Sequence, residues 1–95
     1  MEEEKILTLH PHGKKGVNIL KRRYDIIKDY IIKMLKTHKI ISYQDLSDKA
    51  IIDLSDSFDG KVVWYIVSVK LDLEARNIIE RIPKTSPHEI RLVEI

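Results

Sequence analysis

The residues best suited to chemistry lie in one loop, residues 10–23, with the sequence HPHGKKGVNILKRR. This loop has two histidines, two glycines and five lysines or arginines but no acidic residue. Gly13 and Gly16 allow backbone conformations that other residues avoid, and lysines beside free backbone N–H groups can hold a phosphate or another anion. The GK[ST] ending of a P-loop is absent. The pattern therefore indicates either a contact with an anion or nucleic acid, or a connector with solvated lysines.

The histidines and carboxylates do not form a recognisable catalytic or metal-binding pattern. His10 and His12 have a spacing that some metal sites use, but Pro11 separates them and no third ligand lies nearby. His38 and His88 are isolated and are expected at a helix end or on the surface. The chain has no cysteine, which excludes disulfides and thiol catalysis. We therefore expect no enzyme activity, metal, cofactor or small-molecule ligand.

Length and composition indicate a single domain over residues 1–95. Of the 95 residues, 43% are apolar and 34% are charged, as in ordinary globular proteins. No apolar run approaches the roughly 20 residues of a membrane span, and the acidic start MEEEK does not resemble a secretion signal. We therefore expect a cytoplasmic protein without membrane contact.

Charge is unevenly distributed along the chain, although the net charge is only +2. Residues 5–40 contain ten lysines and arginines against two acidic residues, whereas residues 41–80 contain four against eight. A basic first half favours an anionic partner. Charge complementarity between the two halves, within one chain or between copies, is the alternative.

The periodicity of apolar residues predicts three helices. Helix one is expected over residues 19–37, with Asn18 as its cap, and helix two is expected to follow Ser42, which can cap it. Helix three is expected over residues 61–76, with Asp59 as its cap.

Short strands are expected before, between and after these helices. Asn77 follows helix three where a left-handed residue commonly closes a helix. A turn is expected between two prolines, Pro83 and Pro87. The predicted strands cover residues 5–10, 40–41, 78–82 and 89–95.

Helix three is predicted to be apolar on two nearly opposite sides. The first stripe consists of Val62, Ile66, Val69 and Leu73, and the second of Trp64, Val67, Leu71 and Ala75. The polar edges between them contain Lys61, Ser68 and Asp72 on one side, and Lys70 and Glu74 on the other. The first stripe is expected to face the core. The second is expected to be covered by the N-terminal residues Ile6, Leu7 and Leu9, by a second protomer, or by a ligand.

The stretch LDLEARNIIERIP resembles the part of a winged helix-turn-helix domain in which the third helix ends and the wing begins. This resemblance extends over residues 18–95. The stretches HPHGKKGVNI and FDGKVVWY also resemble a small, uncharacterised bacterial family with this fold. The resemblance implies an α+β winged helix-turn-helix fold, with three helices, a small antiparallel β-wing and an N-terminal strand or arm over residues 1–17.

Winged-helix domains generally bind double-stranded DNA through the third helix and the wing. The resemblance therefore implies a DNA-binding protein, such as a transcriptional regulator, with weak and largely phosphate-directed binding. The expected DNA contacts are Lys14, Lys15, Lys21, Arg22, Arg23, Lys61, Tyr65, Ser68 and Lys84. The alternative is a protein-interaction or homodimerisation module that does not bind DNA. Its expected interface comprises Ile6, Leu7, Leu9, Trp64, Val67 and Leu71.

Overall fold

The computed structural model describes residues 3–93, which form three helices and two small antiparallel sheets. The fold class is therefore α+β, as predicted, and the arrangement is compatible with a winged helix. The elements in chain order are β1 (Lys5–Leu7), β2 (Asn18–Leu20), α1 (Lys21–His38), β3 (Ile40–Ser42), α2 (Tyr43–Leu54), α3 (Val62–Ala75), β4 (Ile79–Ile82) and β5 (Glu89–Leu92).

The larger sheet joins the region before α2 to the region after α3. Its strand order is β3-β5-β4, and both neighbours of β5 run antiparallel to it. Ile41 of β3 pairs with Ile90 of β5, and Ile79 of β4 pairs with Leu92. Ile41, Ile79 and Ile90 are buried, so the sheet contributes to the same core as the helices.

The core lies where α3 crosses α1 and α2. On α1, apolar residues recur at the three- and four-residue spacing of a helix face and are buried. The first stripe of α3 is also buried, since Ile66, Val69 and Leu73 have no exposed surface and Val62 is 7% exposed. The prediction that this stripe faces the core is therefore confirmed.

The N-terminal segment pairs with the residues that precede α1. Ile6 of β1 lies opposite Ile19 of β2, and Ile19 is buried in the core. The pairing continues to the first residue of α1, because the Lys21 N–H donates to the Glu4 carbonyl at 2.8 Å. β1 is shorter than predicted because the Leu9 N–H donates to a carboxylate of α3.

The helix caps show which local signals were reliable. Ser42 caps α2 as predicted, since its hydroxyl accepts from the Asp45 N–H at 3.0 Å. Asn77 has the predicted left-handed conformation, with φ 61°. Asn18 does not cap α1, because it lies in β2. Asp59 does not cap α3, because arginines of α1 engage its carboxylate.

At the C-terminal end, the predicted strand over residues 89–95 ends at Leu92, and residues 94–95 lie outside the described part of the chain. None of the helices between residues 3 and 93 is long and apolar enough to cross a membrane.

Replacing Leu73 with Ala is expected to lower the free energy of unfolding by about 2–5 kcal/mol, because it leaves a cavity and loses apolar burial. Ile52→Ala is the control, since Ile52 is 80% exposed and should cost less than about 0.5 kcal/mol. Urea unfolding measures both values. Equal losses for the two variants would show that α3 does not bury this face.

Candidate functional site

Asp72 is a fully buried carboxylate between α1, α3 and the N-terminal segment. It accepts hydrogen bonds from the Leu9 N–H at 2.8 Å, from the Tyr24 hydroxyl and from Arg76 Nε at 2.9 Å. A buried carboxylate is costly unless it has such partners. Burial, and then the bond to Asp72, raises the pKa of the Tyr24 hydroxyl. Asp72 was predicted on a polar edge of helix three, and at Asp72 this edge is buried, because the N-terminal segment and α1 cover it.

Lys70 is also buried, at the contact of α3 with the start of α2 and the hairpin of β4 and β5. Its Nζ lies 2.7 Å from Glu74 Oε1 and 5.4 Å from the centroid of the Tyr43 ring. The Tyr43 ring stacks on His88 with centroids 5.3 Å apart. Burial lowers the pKa of the Lys70 ammonium, and Glu74 opposes that shift. The second predicted polar edge of helix three is therefore an internal ion pair.

The cations at the start of α1 are paired with carboxylates of the same chain. Arg22 Nη2 and Arg23 Nε contact the two oxygens of Asp59 at 2.9 and 3.1 Å. These two guanidiniums hold the pKa of the Asp59 carboxyl well below its usual range. The other pairs in this cluster are Arg22 with Glu3 at 3.0 Å and Lys21 with Asp25 at 2.8 Å. Lys21, Arg22 and Arg23 were predicted to contact phosphates, and in this arrangement their charges are largely compensated.

Tyr65, another predicted DNA contact, lies inward. It is 9% exposed, and its hydroxyl accepts from Arg23 Nη1 at 2.9 Å. The Phe58 ring packs edge-on against it at 5.1 Å. Gly60 makes this packing feasible, because a Cβ there would lie 2.7 Å from the Tyr65 ring and 2.8 Å from that of Phe58. Tyr65 is therefore almost entirely buried and offers little surface for a DNA contact.

The side of α3 that faces away from the core remains accessible along much of its length. We call it the α3 outer face, and it consists of Lys61, Val63, Trp64, Val67, Ser68 and Leu71. Val63 is 48% exposed and Trp64 is 43% exposed, whereas Val67, Ser68 and Leu71 are half-buried. The Trp64 ring meets the Tyr65 ring edge-on at 4.8 Å. Two predicted DNA contacts, Lys61 and Ser68, therefore lie on this face beside three of the predicted interface residues.

The N-terminal segment covers α3 differently from the prediction. Ile6 packs against the core, but the side chains of Leu7 and Leu9 are 58% and 44% exposed. Farther along, Pro11 and His12 share a shallow cleft with Leu71. The segment thus reaches the C-terminal half of α3, while Trp64 near its start stays accessible.

The two glycines of the lysine-rich loop, residues 10–23, have structural roles. Gly13 has φ 73°, and its N–H donates to the His10 carbonyl at 3.0 Å in a turn. At Gly16, a Cβ would lie 1.7 Å from the Thr8 carbonyl oxygen, so only glycine fits. The intervening Lys14 and Lys15 are exposed, and neither forms an ion pair with any residue from 3 to 93. The connector interpretation accounts for the glycines, and the two lysines remain accessible to an anion.

Lys84 lies in the turn between β4 and β5, is exposed and has φ 64°. The same turn lines a cleft with Ser42 and Gln44 at the start of α2. Because the Lys70 ammonium lies over Tyr43, the hairpin turn, the start of α2 and α3 are neighbours. Within residues 3–93, no group of three metal-ligating side chains is close enough to hold an ion.

Tyr24→Phe is expected to lower the free energy of unfolding by about 1–3 kcal/mol, because the buried Asp72 carboxylate loses a donor. Tyr30→Phe is the matched control, since the Tyr30 hydroxyl bonds to the exposed Asp53 at 2.7 Å and should cost below about 1 kcal/mol. Denaturant unfolding compares the pair. A larger loss for Tyr30→Phe would contradict the central position of Asp72.

His88 is expected to make stability depend on pH. Burial, Lys70 and Arg81 lower the pKa of its imidazole, and its Nε2 has no hydrogen-bond partner among the described residues. With the folded pKa below the unfolded value of about 6.5, its contribution is present above pH 6.5 and is lost as pH falls.

Unfolding at pH 7.5 and 5.5 should therefore show a smaller pH-dependent loss in His88→Gln than in the wild type. The exposed His38 supplies the control variant, His38→Gln. An unchanged pH dependence in His88→Gln would show that this imidazole is not constrained by burial.

Comparison with known proteins adds one match. Residues 5–90 match the profile of a family described as "Family of unknown function (DUF6958)". No curated protein and no solved structure gave a significant match. Because the match covers most of the 95 residues, the chain belongs to the DUF6958 family.

Proposed function

We propose that this protein is a winged-helix DNA-binding protein that holds duplex DNA weakly and mainly through its phosphates. The observation that carries the proposal is the accessible α3 outer face, with the exposed cation Lys61 at its start. A role as a transcriptional regulator or as an accessory protein on nucleic acid agrees with this kind of binding.

The order of elements supports the winged-helix assignment. A helix, a strand, two helices and a β-hairpin follow one another, and the earlier strand joins the hairpin as a third strand. In winged-helix domains the third helix and the hairpin turn face the DNA. The corresponding parts here are the α3 outer face and the turn that contains Lys84.

Four exposed lysines are the phosphate contacts that we favour. Lys14, Lys15, Lys61 and Lys84 form no ion pair within residues 3–93. By contrast, Arg22 and the other cations at the start of α1 must first leave a carboxylate. Exposed ion pairs contribute little stability, so this exchange is feasible but lowers the net gain from each contact.

Sequence preference is expected to be weak. Arg, Asn and Gln side chains read base edges in the major groove, and none lies on the α3 outer face, where Trp64 and Val67 are found instead. Phosphate contacts fix position and orientation but carry no direct sequence information.

A second candidate function is a protein-interaction or homodimerisation module. It is favoured by the exposed apolar surface of Val63 and Trp64 and by the internal pairing of Arg22 and Arg23 with Asp59. Exposed apolar patches of this kind commonly mark contacts with other proteins.

A salt titration with random duplex DNA tests the proposed function. With four to six contacts, log K should fall against log salt with a slope of roughly −4 to −5, because each phosphate contact releases counterions. Lys14→Ala/Lys15→Ala should weaken binding on every sequence and reduce the slope by about two. Fluorescence anisotropy of a labelled duplex gives both quantities.

The control variant is Lys33→Ala/Lys36→Ala, which makes the same change in net charge. Both lysines are exposed near the end of α1. That end leads into Ile40, which pairs with Arg91 at the end of β5 distant from the hairpin turn. Equal losses of DNA affinity in the two double variants would refute a localised contact. Absence of wild-type binding at tens of micromolar protein in low salt would refute DNA binding itself.

Asp59→Asn is expected to strengthen DNA binding, because it releases Arg22 and Arg23 from a carboxylate. The slope of log K against log salt should steepen by about one to two. Asp56→Asn removes the same charge three residues away and is the control. An equal gain in both variants would mean that only net charge matters.

A further inference from the structure

We propose that the cavity beside Trp64 binds an unpaired nucleic-acid base, so that the protein prefers single-stranded or locally melted nucleic acid at this point. This inference rests on the proposed function and specifies the form of nucleic acid that the α3 outer face recognises.

The cavity has the composition of a base-stacking site. It is an open surface pocket of about 410 Å³, lined by Arg23, Gly60, Lys61, Trp64 and Tyr65. Trp64 and Tyr65 meet at an interplanar angle of 79°, so the two aromatic rings form adjoining walls.

The aromatic walls are rigidly supported. Arg23 donates to the Tyr65 hydroxyl at 2.9 Å, and its guanidinium lies 5.7 Å from the ring centroid. The Phe58 ring also packs edge-on against the Tyr65 ring, with centroids 5.1 Å apart. Trp64 packs on the Tyr65 ring, and 43% of its surface remains exposed. A preformed aromatic surface loses little conformational freedom when a flat ligand binds to it.

The charges around the cavity suit a nucleotide. Lys61 is exposed and lies on the rim, where its ammonium can contact the phosphate of a base that stacks on Trp64. The described lining residues include no carboxylate. Of the two cations among them, Arg23 is paired with Asp59, whereas Lys61 forms no ion pair within residues 3–93. Aromatic side chains flanked by cations are the usual means of holding unpaired bases, because every base has a face that can stack.

A second copy of the chain fits this face less well. A two-fold contact brings the same patch of both copies together, so the Lys61 ammonium groups beside Trp64 would be brought near each other. The phosphate of a nucleotide instead supplies a negative charge for Lys61.

The test uses three ligands at low salt: a 12-nucleotide oligothymidylate, an abasic strand of the same length, and a 12-base-pair duplex. Trp64 is the only tryptophan of the chain, so its emission reports contact with a base directly. Oligothymidylate should quench this emission and bind about tenfold more tightly than the abasic strand, as expected for stacking of one base. The duplex should cause little quenching.

Trp64→Leu should lower the affinity for oligothymidylate about tenfold, to that of the abasic strand, and leave the abasic affinity unchanged. Anisotropy of end-labelled strands measures these affinities, and a cooperative urea unfolding transition shows that the variant is folded. Ile52→Ala, at an exposed position of α2 outside the α3 outer face, should bind as the wild type does.

Equal affinities for oligothymidylate and the abasic strand, without quenching, would overturn the base site while the phosphate-directed function stood. Trp64 emission that changes with protein concentration alone would assign the face to a second copy and also overturn the inference. Absence of binding to all three ligands would refute the proposed function itself, and the base site with it.

Discussion

The buried Asp72 carboxylate is the constraint on which the arrangement around α3 depends. Removing a carboxylate from water is unfavourable by several kcal/mol, so the fold must supply donors at this position. They come from Leu9 in the N-terminal segment, Tyr24 on α1 and Arg76 at the end of α3. One side chain therefore fixes the N-terminal segment to the helices and determines which part of α3 it covers. The start of the α3 outer face, around Trp64, remains uncovered.

Much of the fold could be predicted from local signals. The apolar period of α3, the Ser42 cap and the left-handed Asn77 each act over a few residues, and each is found in the structure. The errors at Asn18 and Asp59 have a different origin. Both residue types favour helix caps, but strand pairing occupies the first and two arginines occupy the second. These competing partners are distant in sequence, so spacing could not reveal them.

The candidate site could be predicted only in part, because local signals are visible in the sequence and contacts between distant residues are not. Exposed lysines in a glycine-containing loop could be recognised from sequence, but the pairing of cations with carboxylates could not. Lys70 and Asp72 are the clearest examples, since both were assigned to polar edges of helix three and both are buried with charged partners. The signal that could have found them is the unusually apolar surface of helix three, which leaves little polar surface around these two charges. Part of the positive charge of the basic half is neutralised within the chain, because Asp59 from the acidic half pairs with two arginines of the basic half. The proposed DNA affinity is low because these pairs compete with phosphates.

The location of nucleic acid on the surface is the most direct test of this interpretation. ¹⁵N-labelled protein would be titrated with random duplex DNA at low salt, and amide and indole shifts would be followed by two-dimensional NMR. Shift changes should concentrate at Lys61, Trp64 and Ser68 on the α3 outer face and at Lys84 in the hairpin turn. Changes confined to the exposed α2 residues Asp45, Asp48 and Asp53, or no changes at all at protein concentrations of tens of micromolar, would contradict the assignment of the α3 outer face as the nucleic-acid surface.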